Sequence, residues 1–400
     1  MTRTAWHLRV GAVVAAWLLA AVVAGFRGLV ADVDPWLPVH LLLLGAVSNA
    51  ILVWSSYFAE ALLRLPGKGD RRAEAGRLAV FNAGAVIVVA GMTGDWWGAV
   101  LVGATLAAGA AVWHGAVLLA RMSRSLPSRF GATVRYYVVA ASLLPVGIAL
   151  GVVMAHVDLD DEMHARVALA HVALNVLGWI GLTVLGTVVT LWPTMLHTQV
   201  ADGAELAARR ALPVLVASVV VLSVGALAGV AAVAAAGLVG YAAGLVVSGR
   251  ALAQEARRRP PRTYATLSVA AGYLWLTGTV LALAVVVGTA GSWAAAAETA
   301  DRLGAPLLVG FAAQVLLGAL SYLVPVVLGG GPTAARATGA ALDTAARTRV
   351  GVVNVGLVLL VAPVPDAVRT GAAAAVLLAL VSFLPLALRA VVIARRVRPS

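Results

Sequence analysis

The chain has 400 residues, of which 62% are hydrophobic and 12% charged, and a formal net charge of +12. A soluble globular protein is about half apolar and about a quarter charged, so this composition excludes that class and indicates an integral membrane protein. There is no cysteine, which excludes disulfides, thiolate metal sites and iron–sulfur clusters. The basic excess does not indicate nucleic acid binding, because Lys and Arg collect on the cytoplasmic side of membrane proteins.

Twelve apolar runs, each near the roughly 20 residues that cross a bilayer, predict twelve transmembrane helices. In chain order, spans 1 to 12 are predicted at residues 11–30, 37–59, 78–93, 97–120, 135–156, 167–192, 211–229, 231–249, 264–289, 304–328, 350–364 and 370–394. We expect the first run to be a retained helix rather than a signal peptide, because no cleavage site follows it.

The links between spans are short, the longest having about twenty residues. The predicted fold class is therefore an all-α polytopic membrane helical bundle, with residues 1–400 forming a single integral membrane domain and no soluble domain. The Gly-, Ala- and Thr-rich stretch 329–349 is predicted to be a flexible loop.

Charge predicts the orientation of the spans. The N-terminus, the links after even-numbered spans and the C-terminus hold 25 of the 29 Lys and Arg residues. The opposite links hold only Arg27, Arg166, Arg302 and Arg369. Since basic links stay inside, both termini are predicted to be cytoplasmic.

A weak internal repeat is also present. Spans 6 and 10 each contain Leu-Gly followed by a proline seven residues after the glycine, at Gly186/Pro193 and at Gly318/Pro325. Span 2 pairs His40 with a deeper glycine, and span 6 pairs His171 with one. Spans 2, 6 and 10 are four apart, which suggests a threefold repeat of four helices.

Residues capable of metal chemistry concentrate in the segment 154–175, where three of the seven histidines occur. His164, His171 and Asn175 follow spacings of seven and four, which places them on one face of span 6. His40 lies about one turn inside the outer end of span 2. These histidines are predicted to gather near the extracytoplasmic surface.

Two sites are predicted from this set. Imidazole is the commonest metal ligand and also binds haem iron, so His40 and His171 could hold a haem from two helices. Thioethers suit Cu(I), so a copper site could form from Met154, His156, Met163 and His164. The alternative for His156 and His164 is that they are ordinary residues of an acidic interfacial loop.

Other intramembrane polar groups are predicted to have structural roles. Asn49, Asn82, Asn175, Gln314 and Asn354 are expected to form hydrogen bonds between helices. Glu60, near the cytoplasmic end of span 2, is a weaker candidate for a proton-entry residue. Nucleotide-binding and hydrolase motifs are missing from the sequence.

Twelve spans with histidines in spans 2 and 6 resemble subunit I of the haem-copper oxidases and the related NnrS proteins. Three segments look more like the membrane region associated with actinobacterial multicopper oxidases and copper nitrite reductases. They are VHLLLLGAVSNAILVWSSYFAEALL (39–63), HVALNVLGWIGLTVLGTVVTLWPTMLHTQ (171–199) and GFAAQVLLGALSYLVPVVLGGGP (310–332). The resemblance implies a bacterial inner membrane location, a periplasmic cupredoxin-type partner, His40 as haem ligand and His171 as copper ligand.

The sequence also departs from that family. Haem-copper oxidases have histidine pairs in spans 7 and 10, whereas no histidine follows His197 here and span 10 carries Gln314. The expected function is therefore a degenerate relative, not itself a competent oxygen reductase, that binds haem or copper in redox or nitrogen-oxide metabolism. A twelve-span secondary transporter and a non-catalytic anchor or assembly factor for a copper enzyme are the alternatives.

Overall fold

The computed structural model describes residues 3–31, 34–64, 70–126 and 130–397, and these ranges are helical with short connections. They contain twelve helices that are long and apolar enough to cross a membrane, which confirms the predicted number of spans. Spans 1 to 12 are Thr4–Arg27, Trp36–Leu63, Arg71–Thr93, Trp97–Ser123, Gly131–His156, Asp161–Met195, Ala204–Leu227, Ala231–Arg258, Tyr264–Thr289, Pro306–Leu328, Gly331–Val361 and Asp366–Arg396. The protein is thus an all-α, multi-pass integral membrane protein.

Span 11 begins with a separate short helix, which corrects the prediction of a flexible loop. Residues Gly331–Leu342 are helical, and the helix Ala346–Val361 follows after a three-residue turn. The short helix packs on spans 10 and 12. Its buried residues Ala334, Thr338, Ala341 and Leu342 recur at helical spacing. The loop prediction is wrong because a sequence rich in small residues can still form a helix when one face is buried.

The described residues form two compact units. The first comprises residues 1–50, 260–276 and 302–400, and the second comprises residues 51–259 and 277–301. The first unit therefore holds spans 1, 10, 11 and 12 with the outer half of span 2 and the first half of span 9. The second unit holds spans 3 to 8 with the remaining halves.

Spans 2, 6 and 10 share a local irregularity that the other spans lack within the described residues. Each contains a π-helical segment, at Leu41–Val47, Ala173–Gly181 and Pro306–Ala313. These spans are also the most buried: half of the apolar window of span 2, and 72% of the windows of spans 6 and 10, is buried, against at most 44% in any other span. Within the first unit, the π-helical segments of spans 2 and 10 contact each other. π-Helical turns are rare and occur often at functional sites.

One glycine in each π-helical segment faces a large side chain of the preceding span. A Cβ atom at any of the three glycines would lie within 3.0 Å of that side chain, and where the obstacle is a rigid tryptophan, at Gly45 and Gly310, the close approach requires glycine. The pairs are Gly45 with Trp17, Gly178 with Leu143, and Gly310 with Trp275. The glycines are 133 and 132 residues apart. This recurrence supports the predicted threefold repeat of four helices.

The same step relates the contacts deeper in spans 6 and 10. Gly186 packs against Thr133 and Tyr136 of span 5. Gly318, 132 residues later, packs against the residues 132 positions after those two, Ala265 and Ser268 of span 9. The Leu-Gly…Pro similarity in the sequence therefore corresponds to equivalent packing of one helix on the preceding one.

Close hairpins join consecutive spans in the second unit. Spans 3 and 4 cross where Gly84 and Gly103 meet: a Cβ at Gly103 would lie 2.6 Å from the Val88 backbone nitrogen and 2.7 Å from the Gly84 carbonyl oxygen. Spans 7 and 8 also approach closely, since a Cβ at Gly225 would lie 2.5 Å from the Ala234 backbone nitrogen and a Cβ at Gly237 would lie 2.5 Å from the Leu222 backbone nitrogen. Small residues permit this approach of helix backbones in membrane bundles.

Candidate functional site

His171 lies in span 6 just before its π-helical segment and points to span 5. Its Nδ1 lies 2.8 Å from the carbonyl oxygen of Gly147. A Cβ at Gly151, one turn further along span 5, would approach the His171 Cε1 to 2.9 Å. The two glycines therefore provide the space that the imidazole occupies. A carbonyl can only accept, so Nδ1 carries the proton and Nε2 carries the lone pair.

Asn175 lies on the same helix face as His171, as its spacing predicts. Its Nδ2 is 3.2 Å from Nδ1 and 3.3 Å from Nε2 of the His171 ring. The amide side chain occupies the space that a Cβ at Gly147 would need. The Oδ1 atom is buried and has no hydrogen-bond partner. Because Nδ1 is already protonated and donating, Nε2 is the ring atom that can accept from this amide. His164 lies on the same helix but is exposed at its outer end.

His40 has a comparable arrangement at the outer end of span 2. Its ring stacks on Trp36, with centroids 4.1 Å apart, and its Nδ1 lies 2.8 Å from the Trp36 carbonyl oxygen. The same reasoning places the proton of neutral His40 on Nδ1 and the lone pair on Nε2. His40 belongs to the first unit and His171 to the second. Their pairing about one cofactor stays a prediction.

The connection between spans 5 and 6 makes specific side-chain contacts. His156 is exposed and stacks on Trp97, with ring centroids 3.9 Å apart and planes 10° apart. Asp160 caps the N-terminus of span 6 by accepting from the Met163 backbone N–H at 2.7 Å. These contacts are of the kind expected if the residues of this connection have structural roles, and they do not test metal binding.

Glu162, in the first turn of span 6, connects this end of the span to a short helix, Trp293–Asp301, between spans 9 and 10. Its carboxylate accepts from the backbone N–H groups of Trp293 and Ala294 at 2.9 and 3.1 Å. A carboxylate at a helix N-terminus satisfies donors that have no partner within the helix. Glu162 therefore fixes the start of span 6 to a neighbouring element, a contact that the sequence did not reveal.

Nothing in the structure assembles a metal centre from these loop residues. Across the described ranges, no group of three or more His, Asp or Glu side chains is arranged to hold a metal ion. A copper site from Met154, His156, Met163 and His164 would depend on the two thioethers as well as the two imidazoles. That site stays a prediction.

A group of charged residues in spans 2, 3 and 4 was only partly expected. Arg121 forms an ion pair with Glu60 at 3.1 Å. Arg77 is 3% exposed and lies over the Trp113 ring, 5.7 Å from its centroid. His114 is buried, with Nε2 2.8 Å from the Ser55 hydroxyl oxygen. Of these residues the sequence indicates a functional role only for Glu60, because arginines near the ends of spans are typical of the cytoplasmic side of any membrane protein.

The predicted interhelical role of two amides is confirmed in the first unit. Asn354 of span 11 donates to the Gln314 Oε1 of span 10 at 3.0 Å. Its own Oδ1 accepts from the Trp275 indole of span 9 at 2.6 Å. Gln314 also donates to the Gly310 carbonyl, at 3.0 Å. Gln314 is therefore part of a hydrogen-bond network joining three spans.

Comparison with known proteins leaves the family open. No protein-family model matches the chain. No curated protein matches it.

Proposed function

We propose that this membrane protein binds a haem or a copper ion, with His171 and His40 each a candidate ligand. It would act in redox or nitrogen-oxide metabolism together with a periplasmic cupredoxin-type enzyme. The sequence resemblance to haem-copper oxidases and NnrS proteins motivates the class of chemistry.

The observation that carries this proposal is the contact that each of the two histidines makes from Nδ1 to a backbone carbonyl oxygen. In each, Nδ1 lies 2.8 Å from a backbone carbonyl oxygen, so Nε2 carries the lone pair that a metal requires. A histidine that binds a metal almost always donates its other ring N–H to such an acceptor, which fixes the ring orientation. Both histidines also border π-helical segments of deeply buried spans.

Asn175 sets a requirement for binding at His171. Its Nδ2 lies 3.3 Å from Nε2, so a metal on Nε2 requires the amide to rotate away. The orphaned Oδ1 of the same amide shows that its present position leaves one polar atom unsatisfied. Rotation therefore exchanges an imperfect hydrogen-bond arrangement for a metal bond.

The protein would lack oxygen-reducing chemistry of the haem-copper type. That reaction uses a six-histidine centre in the family it resembles, and no histidine follows residue 197 in this chain. His40 and His171 would supply an imidazole ligand to haem iron or part of the ligand set of one copper ion.

The test is to purify the protein, record its optical spectrum and measure its haem, copper and iron content. Histidine→Ala changes at positions 40 and 171 should each lower the bound cofactor, and the double change should abolish it. His197→Asn is the matched control, because His197 is exposed, has a positive φ that Asn tolerates, and is remote in sequence from both sites. Lack of haem and copper, with no gain on reconstitution, would contradict the proposal.

A secondary transporter is the second candidate, favoured by the charged group in spans 2, 3 and 4. Ionisable residues buried in a membrane mark ion or substrate pathways by default. Buried Arg77 and His114 fit that description, and the partly exposed Glu60–Arg121 pair lies in the same three spans. Proton flux in proteoliposomes that is abolished by Glu60→Gln, in a preparation without haem or copper, would favour transport over redox chemistry.

A further inference from the structure

Arg349 is a buried cation at the start of the main helix of span 11. Its side chain is 7% exposed, although its neighbours Arg347 and Thr348 are exposed. It belongs to the first unit, where it meets the first residue of span 9. The charge rule assigns this end of both spans to the cytoplasm.

Two contacts hold the guanidinium in place. Its plane stacks on Tyr264, with the central carbon 3.8 Å from the ring centroid. Its Nη1 donates to the Leu342 carbonyl oxygen at 3.1 Å. Leu342 ends the helix Gly331–Leu342, where a cation is favourable. The orientation of the group is thus determined by protein contacts.

The remaining donors of Arg349 have no partner. Nε and Nη2 are both buried and form no hydrogen bond. These two atoms lie on the same edge of the guanidinium, the edge that binds two oxygens of a carboxylate or a phosphate side by side. An unpaired buried guanidinium is expensive, so a counter-charge at this edge would be strongly stabilised.

The one carboxylate nearby is already engaged. Asp343 attracts the guanidinium electrostatically, but its Oδ1 accepts from the Tyr264 backbone N–H. Among the described residues Arg349 forms no ion pair. Two exposed arginines, Arg262 and Arg347, lie two residues before Tyr264 and Arg349 along the chain. They add positive charge to the same end of spans 9 and 11 as Arg349.

We propose that Arg349 is the centre of a cytoplasmic-side binding site for a phosphate group. The phosphate would accept from Nε and Nη2 through two of its oxygens. It can belong to an anionic phospholipid headgroup or to free inorganic phosphate, which have the same recognition chemistry. The site is separate from His40 and His171 and does not depend on whether they bind a cofactor.

The first experiment compares full-length protein with its Arg349→Lys and Arg347→Lys variants after delipidation in detergent. Lysine keeps the positive charge but cannot form the bidentate pair of hydrogen bonds. Arg347 is the matched exposed control. Thermal unfolding is measured against inorganic phosphate at constant ionic strength, and native mass spectrometry measures retention of phosphatidylglycerol against phosphatidylcholine. Wild type and Arg347→Lys should bind one of the two ligands, and Arg349→Lys should bind it on the order of tenfold more weakly.

The two measurements identify the source of the phosphate. Stabilisation by inorganic phosphate alone assigns the site to a free phosphate, and selective retention of phosphatidylglycerol assigns it to a lipid. Equal binding by all three proteins, or no binding in either arm, overturns the proposal.

A second measurement needs no variant, in case Arg349→Lys fails to fold. Delipidated wild-type protein is treated with phenylglyoxal, and the modified arginines are mapped by mass spectrometry. Phosphate or phosphatidylglycerol should slow modification of Arg349 on the order of tenfold and leave Arg347 unchanged. Equal modification of Arg349 with and without both ligands, or none at all, contradicts a ligand site at this edge.

Discussion

Replacement of glycine by alanine at two positions of span 4 tests the crossing of spans 3 and 4, because the expected changes in stability have opposite signs. In Gly103→Ala the new Cβ would lie 2.6 Å from the Val88 backbone nitrogen, whereas ordinary contacts begin at 3.4 Å. The helices must then separate by the difference, 0.8 Å, because the obstructing atoms are backbone. Gly109, in the same span, has nothing within 4 Å of its Cβ position.

The magnitudes follow from two opposing effects. Replacing glycine by alanine inside a helix gains about 0.5–1 kcal/mol at either position. Overpacking costs about 1–3 kcal/mol, and only Gly103→Ala incurs it. We therefore expect Gly103→Ala to destabilise the protein by about 1–2 kcal/mol and Gly109→Ala to stabilise it by up to about 1 kcal/mol.

The assay is thermal unfolding of both variants in the same detergent, with Gly84→Ala as a second member of the crossing. A Cβ at Gly84 would lie 2.6 Å from the Gly103 carbonyl oxygen, so its effect should match that of Gly103→Ala. Equal midpoints for Gly103→Ala and Gly109→Ala would refute the close crossing of these helices.

Three further predictions concern other parts of the chain. Asn354→Leu should lower stability by about 1–3 kcal/mol, because it removes the acceptor of the half-buried Trp275 indole N–H and the donor to the buried Gln314 Oε1; an unchanged unfolding midpoint would contradict the network. Glu60 and Arg121 should show a coupling of no more than about 1 kcal/mol in a double-mutant cycle, since Glu60 is 37% exposed; zero coupling would show that the ion pair contributes nothing. Because the chain has no cysteine, Leu126→Cys and Asp158→Cys can each be labelled alone in intact cells, and an impermeant maleimide should reach only Asp158→Cys. Labelling of Leu126→Cys instead would reverse the predicted orientation.

Hydropathy predicts the number of spans well because each crossing needs a long apolar run, whatever its neighbours are. The turn between spans 7 and 8 was the least marked boundary, and it falls where predicted, with Gly229 at φ 75°. The distribution of charge also predicts an orientation, because links rich in Lys and Arg stay on the cytoplasmic side. Both signals are local, so they are available without tertiary structure.

Features that depend on contacts between distant residues were beyond sequence reasoning. The helix Gly331–Leu342 forms because spans 10 and 12 cover one of its faces, and its composition alone suggested a loop. Glu162 could be read only as a solubilising acid until helix Trp293–Asp301 was placed against it. The π-helical segments gave no sequence signal beyond a glycine, because the collision that demands glycine comes from another span.

The two candidate histidines are not equivalent within the repeat, and this bears on why they are present. When the repeats are aligned in sequence at the glycine that meets the preceding span, His40 lies five residues before Gly45 and His171 lies seven residues before Gly178. Two residues correspond to about 200° around a helix, so the histidines occupy different faces of their repeats. The third repeat has Ala305 and Leu303 at those positions. A histidine required by the packing of the repeat would recur in register, as the glycines do. Each histidine is therefore better explained by a requirement of its own location than by the packing of the repeat.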